Sequence, residues 1–432
     1  MDNTDLEFLA KSATEELNQL FGSKVDKNKN LKKLREAAEK ASQKKKKTQP
    51  EASIKPRETS DKFDIKELLQ VMVTHEASDL HLKEGSPPMV RIHGDLYPVG
   101  DESLTARETR EMVFDICKPS QKIILDNGRE VDFAYSYREG RFRINAYWQK
   151  STLSASVRMI KEKIPTFESL NLPSSIKNLM AHKHGLVLVT GPTGSGKSTT
   201  LAAMINYLNE NKAIHIVSIE DPIEYIHTHK RALITQREVG ADTLSFKMAL
   251  KYSLRQDPNV ILIGEMRDPE TIMIAAQAAE TGHFVLSTLH TPNTVQAITR
   301  VTDVFDEDSQ KQIRLLLASN LRGIVSQRLL SRVDGKGRVP IVEIMINTPT
   351  IASLILEGEV NEIYKYINEG ATLGMQTMNQ SLYYSYKEGL ISYEDALANS
   401  DHPTELRMSL EGYISSSDVF KTGEDGSLMS WL

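Results

Sequence analysis

The stretch LVLVTGPTGSGKS, Leu186 to Ser198, decides the fold. Leu186 to Thr190 is an unbroken apolar run of strand length, and STTLAAMINYL, from Ser198 onwards, reads as a helix. Between them Gly191, Pro192, Thr193, Gly194, Ser195, Gly196 and Lys197, closed by Ser198, fit the pattern GxxxxGK[ST]. The strand before and the helix after turn that pattern into a mechanism. The glycines let the backbone wrap with its N–H groups pointing inward. The start of the helix adds positive dipole at the same place. Lys197 supplies a mobile positive charge for β- and γ-phosphates, and the Ser198 hydroxyl offers a hard oxygen to Mg²⁺. Gly191 to Thr199 are therefore the candidate ATP-binding residues.

Outward from this stretch, HIVSIE (215–220), VILIG (260–264) and FVLST (284–288) repeat the continuous apolar signature and alternate with helical segments. Such runs predict strands buried on both faces, hence a mostly parallel sheet with right-handed crossovers. Ligands of such sheets bind at the carboxyl ends of the strands. There VILIG is followed by Glu265, and HIVSIE ends in Glu220-Asp221-Pro222-Ile223-Glu224. Hydrolysis needs a carboxylate at the metal and a group that orients or deprotonates water, and these two acidic clusters offer both. FVLSTLHT puts His290 at a third strand tip, while His283 precedes the same strand. Neither has the partner spacing of a metal site; a phosphate sensor, a relay between subunits and a satisfied structural histidine all fit.

Residues 63–160 read as a small α+β domain. A helix-like IKELLQVMV precedes alternating segments about the turn Gly85-Ser86-Pro87-Pro88, and VDFAYSY and RFRINAYWQ are joined through Arg138-Glu139-Gly140. Residues 161–347 form the α/β core, 348–414 look helical, and the Ser-, Gly- and Asp-rich 415–432 is expected to be disordered. Residues 1–22 carry an apolar stripe (Leu6, Leu9, Ala13, Leu17, Leu20, Phe21) at helical spacing. Residues 23–62, with the run Lys44 to Lys47, are too polar for a core. A docking helix or a flexible tail both fit 1–22; the lysine run fits phosphates, anionic lipid or plain solvation.

The chain of 432 residues has a net charge of -5, which gives no general pull towards nucleic acid. Its single cysteine, Cys117, excludes an internal disulfide, and the absence of any CxxC pair excludes a structural zinc framework. A reducing cytosol fits, with Cys117 a buried thiol. No apolar run approaches the roughly 18 residues of a membrane span, and the acidic N-terminus lacks a signal-peptide core. A cytoplasmic protein with no integral membrane segment is expected. Only Lys44 to Lys47 speaks for a DNA-translocating motor.

The four segments GPTGSGKST, IEDPIEY, VILIGEMRDPET and GHFVLSTLHTPNT, in this order, resemble the Walker A, aspartate, Walker B and histidine boxes of the secretion-superfamily ATPases. Over roughly residues 63–412 the chain is similar to the PilT/PilU type of type IV pilus retraction (twitching-motility) ATPase. The resemblance implies a PAS-like N-terminal domain, a RecA-like ATPase domain, a hexameric ring and ATP with Mg²⁺ between the domains. It implies Lys197 and Ser198 on phosphate and Mg²⁺, Glu224 as general base, Glu265 as the Walker B carboxylate at the metal, and His290 and His283 as histidine-box residues. Arg143 and Arg158, in RFRINAYW and SVRMI, match arginines that the family turns towards the phosphates; stabilising the γ-phosphate and plain surface salt bridging fit them equally. The implied partners are the pilus inner-membrane platform protein and a partner retraction ATPase, with the motor peripheral at the inner-membrane base of the pilus machine. Assembly-type members carry a four-cysteine zinc insert that this chain lacks. The segment TIASLILEGEV departs from the AIRNLIRE sequence of the main retraction motor and sits nearer the accessory PilU type, so an accessory or regulatory subunit is the alternative.

Overall fold

A computed structural model describes residues 64–412, apart from 93, 139 and 161–163. The expectations for residues 1–22, 23–62 and 415–432, including Lys44 to Lys47, lie outside the described residues.

The first unit is α+β. Its sheet has six antiparallel strands in the order β3-β2-β1-β6-β5-β4: β1 Asp79–Leu82, β2 Met89–Ile92, β3 Asp95–Pro98, β4 Val131–Tyr137, β5 Gly140–Gln149 and β6 Thr152–Ile160. Strand β5 buries alternate residues, so Phe142, Ile144 and Ala146 face the core while Arg141, Arg143 and Asn145 face the other side. The helix Ile65–Thr74 lays Leu68, Leu69 and Met72 on that core; the side chain of Asp64 caps it by accepting from Lys66 N at 2.9 Å. Cys117 is buried in the same cluster, and burial pushes its thiol up to about 11.

The second unit holds a seven-stranded sheet ordered β13-β12-β7-β11-β10-β8-β9. Its strands are β7 Gly185–Thr190, β8 His215–Glu220, β9 Leu233–Glu238, β10 Val260–Ile263, β11 Phe284–Leu289, β12 Leu321–Ser331 and β13 Arg338–Ile346. All neighbours are parallel except β12 and β13, which form a hairpin. The four apolar runs are thus β7, β8, β10 and β11. In each, successive residues pack on opposite faces: Leu186 and Leu188 join one cluster, Val187 and Val189 the other. The helix Lys197–Asn211 covers one face and the helices Phe246–Ser253, Pro269–Glu280 and Glu307–Asn320 the other. Beyond β13 come short helices from Pro349 to Leu410. This is the mostly parallel α/β core expected from the apolar runs. The strands β6, β9, β12 and β13 are additions to the sequence reading.

Candidate active site

Strand β7 ends at Thr190 and the helix starts at Lys197, so the loop between them sits at the carboxyl end of a central strand. Two glycines set its path. Gly191 has φ +144°, and a Cβ there would lie 2.2 Å from the Gln327 carbonyl oxygen. Gly196, with φ +90°, caps the helix in the left-handed region, where side chains strain the backbone. Strand β12 buttresses the loop: Thr200 Oγ1 donates to Gln327 Oε1 at 2.7 Å, and Thr190 Oγ1 lies 2.6 Å from Ser326 Oγ.

Lys197 is 8 % exposed, and its Nζ donates to the carbonyls of Gly191 (2.9 Å) and Pro192 (3.0 Å). Burial pulls its pKa down, while the charges of Glu265 and Glu224 oppose that shift. The buried Ser195 Oγ has no hydrogen-bond partner among the described residues. A glycine-shaped loop at a helix start, with an engaged ammonium and an orphaned hydroxyl, suits a polyphosphate.

A cavity of about 670 Å³ opens over this loop. Its wall includes Thr193, Gly194, Gly196, Lys197, Ser198 and Thr199, and also Glu224, Glu265, His290, Arg143 and Arg158. Glu265 is pinned by two neighbours: Arg267 Nε donates at 2.8 Å, and His290 Nε2 lies 3.3 Å away. The other nitrogen of His290, Nδ1, lies 3.5 Å from Lys197 Nζ, so the imidazole bridges the lysine and the carboxylate.

The two arginines come from the first unit. Arg143 on β5 and Arg158 on β6 stand opposite each other in register. Each is held by a carboxylate of its own sheet: Arg143 by both oxygens of Asp132 (3.1 and 2.6 Å), Arg158 by Asp79 (2.9 Å). They line the cavity with their charge partly neutralised by these aspartates.

His283 is not brought to this site. It precedes β11 at the end opposite His290, roughly 20 Å away for a strand rising about 3.3 Å per residue, and its Nδ1 lies 3.0 Å from Ala278 O. Pairing the two histidines followed from the shared segment, but a strand separates its ends. In its own chain His283 cannot touch the phosphate.

Several residues at the site were given no individual role in the sequence reading. Glu220 is half-buried at the tip of β8, and desolvation raises its pKa against the hydrogen bonds from Ser218 and Gln236. Tyr225 OH lies 2.9 Å from Thr199 Oγ1. His227 lines the cavity, and burial pushes it down to about 4. Glu220 and Tyr225 were visible within IEDPIEY, but their contacts depend on β9, which is too polar to announce itself.

This constellation, a phosphate-binding loop with two strand-tip carboxylates facing the arginine-bearing first unit, places the chain in a known class. Residues 61–396 match the family described as type II/IV secretion system protein, and the chain belongs to that family. It is 45% identical over 350 residues to the Type IV pilus ATPase PilU of Pseudomonas aeruginosa, covering 81% of this chain and 92% of that one. To the "Type IV pilus retractation ATPase PilT" of the same organism it is 45% identical over 342 residues, covering 79% of this chain and 99% of the relative. Among solved structures, the pilus retraction motor PilT with bound ADP matches with a TM-score of 0.76 at 44% identity, covering 80% of this chain and 99% of that one. The resemblance carried by the four boxes is borne out, including its nearness to the PilU type.

Proposed function

We propose that the chain is an ATP-hydrolysing motor subunit that powers type IV pilus retraction. The observation that carries this reading is the shared cavity, where phosphate loop, carboxylates and arginines from two units converge. The relatives supply the purpose: two named for type IV pilus ATPases span most of the chain.

In this reading the N–H groups of Gly191 to Thr199 and the Lys197 ammonium bind the phosphates. The Ser198 hydroxyl and Glu265 are the residues that would hold Mg²⁺, which when bound would neutralise charge on the β- and γ-phosphates. A hydroxyl and a carboxylate with phosphate oxygens form the hard-oxygen set that this ion takes. Glu224 accepts the proton of the attacking water. His290 holds Glu265 beside Lys197. Arg143 and Arg158 exchange their aspartate partners for phosphate oxygens as the units close, which couples hydrolysis to domain movement. The working form is a homo-hexameric ring at the cytoplasmic base of the pilus machine, against an inner-membrane platform protein and beside a partner retraction ATPase. Among the described residues no helix is long and apolar enough to cross a membrane.

The accessory reading is favoured by one observation. The departing segment forms the helix Pro349–Glu357 and leaves Leu356 49% exposed. Phosphate release measured alone and with a partner ATPase separates the two readings.

The test of the catalytic assignment is Glu224→Gln. This variant retains ATP binding and hydrolyses about 10²- to 10⁴-fold more slowly, the usual cost of removing a general base. Wild-type turnover from it would refute the role of Glu224.

A further inference from the structure

Between Glu220 and His227 the chain forms the loop that carries Glu224, and strand β9 grips this loop at three backbone points. Gln236 Nε2 donates to Tyr225 O at 2.9 Å, and Gln236 Oε1 accepts from His227 N at 2.9 Å. Glu238 Oε2 accepts from Ile223 N at 3.2 Å. Glu224 therefore hangs between two anchors, Ile223 before it and Tyr225 after it. The Gln236 anchor is internal to the ATPase core, since the same amide also donates to Glu220 Oε1 at 3.2 Å.

The Glu238 anchor reaches further. The oxygen that accepts from Ile223 N also lies 3.7 Å from Arg141 Nη2, on β5 of the first unit. Glu238 is 5 % exposed, and its own backbone is fixed: its N–H donates to Asp242 Oδ2 at 2.9 Å, and its carbonyl accepts from Asp242 N at 2.8 Å. The carboxylate is thus a rigid post with one oxygen shared between two units. At 3.7 Å the Arg141 contact is an ion pair short of a hydrogen bond. The Nε of the same guanidinium is buried with no hydrogen-bond partner among the described residues. A small approach of the two units would let Arg141 bond to Oε2 and compete with Ile223 N for it.

We propose that Glu238 is a positioning residue through which Arg141 lets the first unit set the geometry of the loop carrying Glu224. The inference rests on Glu224 acting as the general base. A base displaced by about 1 Å loses as much as 10²-fold in rate without losing substrate affinity, so domain position would gate turnover rather than binding.

The test uses the full chain with Arg141→Met, Arg141→Lys, Glu238→Gln, the double Arg141→Met/Glu238→Gln, and Glu224→Gln as reference. Three quantities are read: kcat, nucleotide Kd, and hydrogen exchange of peptides spanning 221–227. Arg141→Met and Glu238→Gln each lower kcat about tenfold or more with Kd within about twofold of wild type. The double variant falls no further than the worse single one, because both changes cut the same link. Arg141→Lys, which keeps the charge, recovers part of the loss. Exchange in 221–227 changes in Arg141→Met although no residue of that loop was altered. Wild-type kcat with wild-type exchange in Arg141→Met overturns the proposal, and so do losses that add in the double variant. If wild-type protein itself shows no turnover, the hydrolytic function fails instead, and the exchange comparison alone decides the link.

Discussion

Replacing Gly191 by alanine probes the phosphate cradle at its tightest point. The new Cβ would sit 2.2 Å from the Gln327 carbonyl oxygen and 2.6 Å from Ser195 Oγ. The carbonyl belongs to β12, which is paired with both β7 and β13, so it has little room to retreat. Overpacking of this kind costs about 1–3 kcal/mol, and a side chain held at φ +144° adds about 1–3 kcal/mol of backbone strain. The sum is about 2–6 kcal/mol. For a unit of this size each kcal/mol shifts Tm by about 2–4 °C, so even the lower end lowers it by about 4–8 °C. If the loop moves instead of the sheet, the strain appears as lost ATP affinity. Thermal unfolding with and without ATP captures both routes: Tm falls, or the ATP-induced rise in Tm shrinks. A variant that melts within about 1 °C of wild type and keeps the full ATP-induced shift would refute the cradle geometry.

Glu343 offers a pH-dependent test. It is fully buried and accepts from Thr294 N (2.8 Å) and Thr294 Oγ1 (2.7 Å), and burial raises its pKa. A carboxyl with a raised folded-state pKa stabilises fully below its unfolded value and loses that contribution as pH rises through the folded one. The Tm advantage of wild type over Glu343→Gln therefore shrinks as pH rises above the ordinary carboxylate range; an advantage that grows with pH would contradict this. Glu343→Ala strands both Thr294 donors and destabilises by about 2–6 kcal/mol, at 1–3 for each buried unsatisfied group, as read by denaturant titration. Cys117, pushed up to about 11, stays a thiol at pH 8, so iodoacetamide alkylates it at least about tenfold more slowly than in urea-unfolded protein. Equal rates would contradict its burial.

The core of the fold was legible because β7, β8, β10 and β11 are buried on both faces, and each carries a short apolar run despite buried polar residues such as Ser218, Ser287 and Thr288. Strand β9 (LITQRE) was not, because Gln236 and Glu238 are spent on the loop of Glu224. Strand β12 was hidden for a related reason: Ser326 and Gln327 are buried, satisfied by Thr190 of β7 and by Thr200 of the helix that follows the phosphate loop. The site followed the same divide. Lys197, Glu224, Glu265 and His290 sit at strand tips, where position along the chain predicts position in space. His283 shows the limit of that rule, since a shared segment spans both ends of a strand. The partners of Arg143 and Arg158 depend on antiparallel register, which the sequence did not specify.

The neighbours of β7 in the sheet have a consequence for biosynthesis. The phosphate-loop strand lies between β11 and β12, both made well after it, at Phe284–Leu289 and Leu321–Ser331. While the ribosome adds the intervening residues, Leu186 to Val189 have no edge to pair with and no buttress from Gln327. Such apolar strands awaiting distant partners are the slow and aggregation-exposed part of folding. ATP has no finished cradle to enter until the β12–β13 hairpin has emerged. A chain truncated before β12 would therefore leave one edge of β7 unpaired and the cradle without its Gln327 buttress, an edge prone to aggregation.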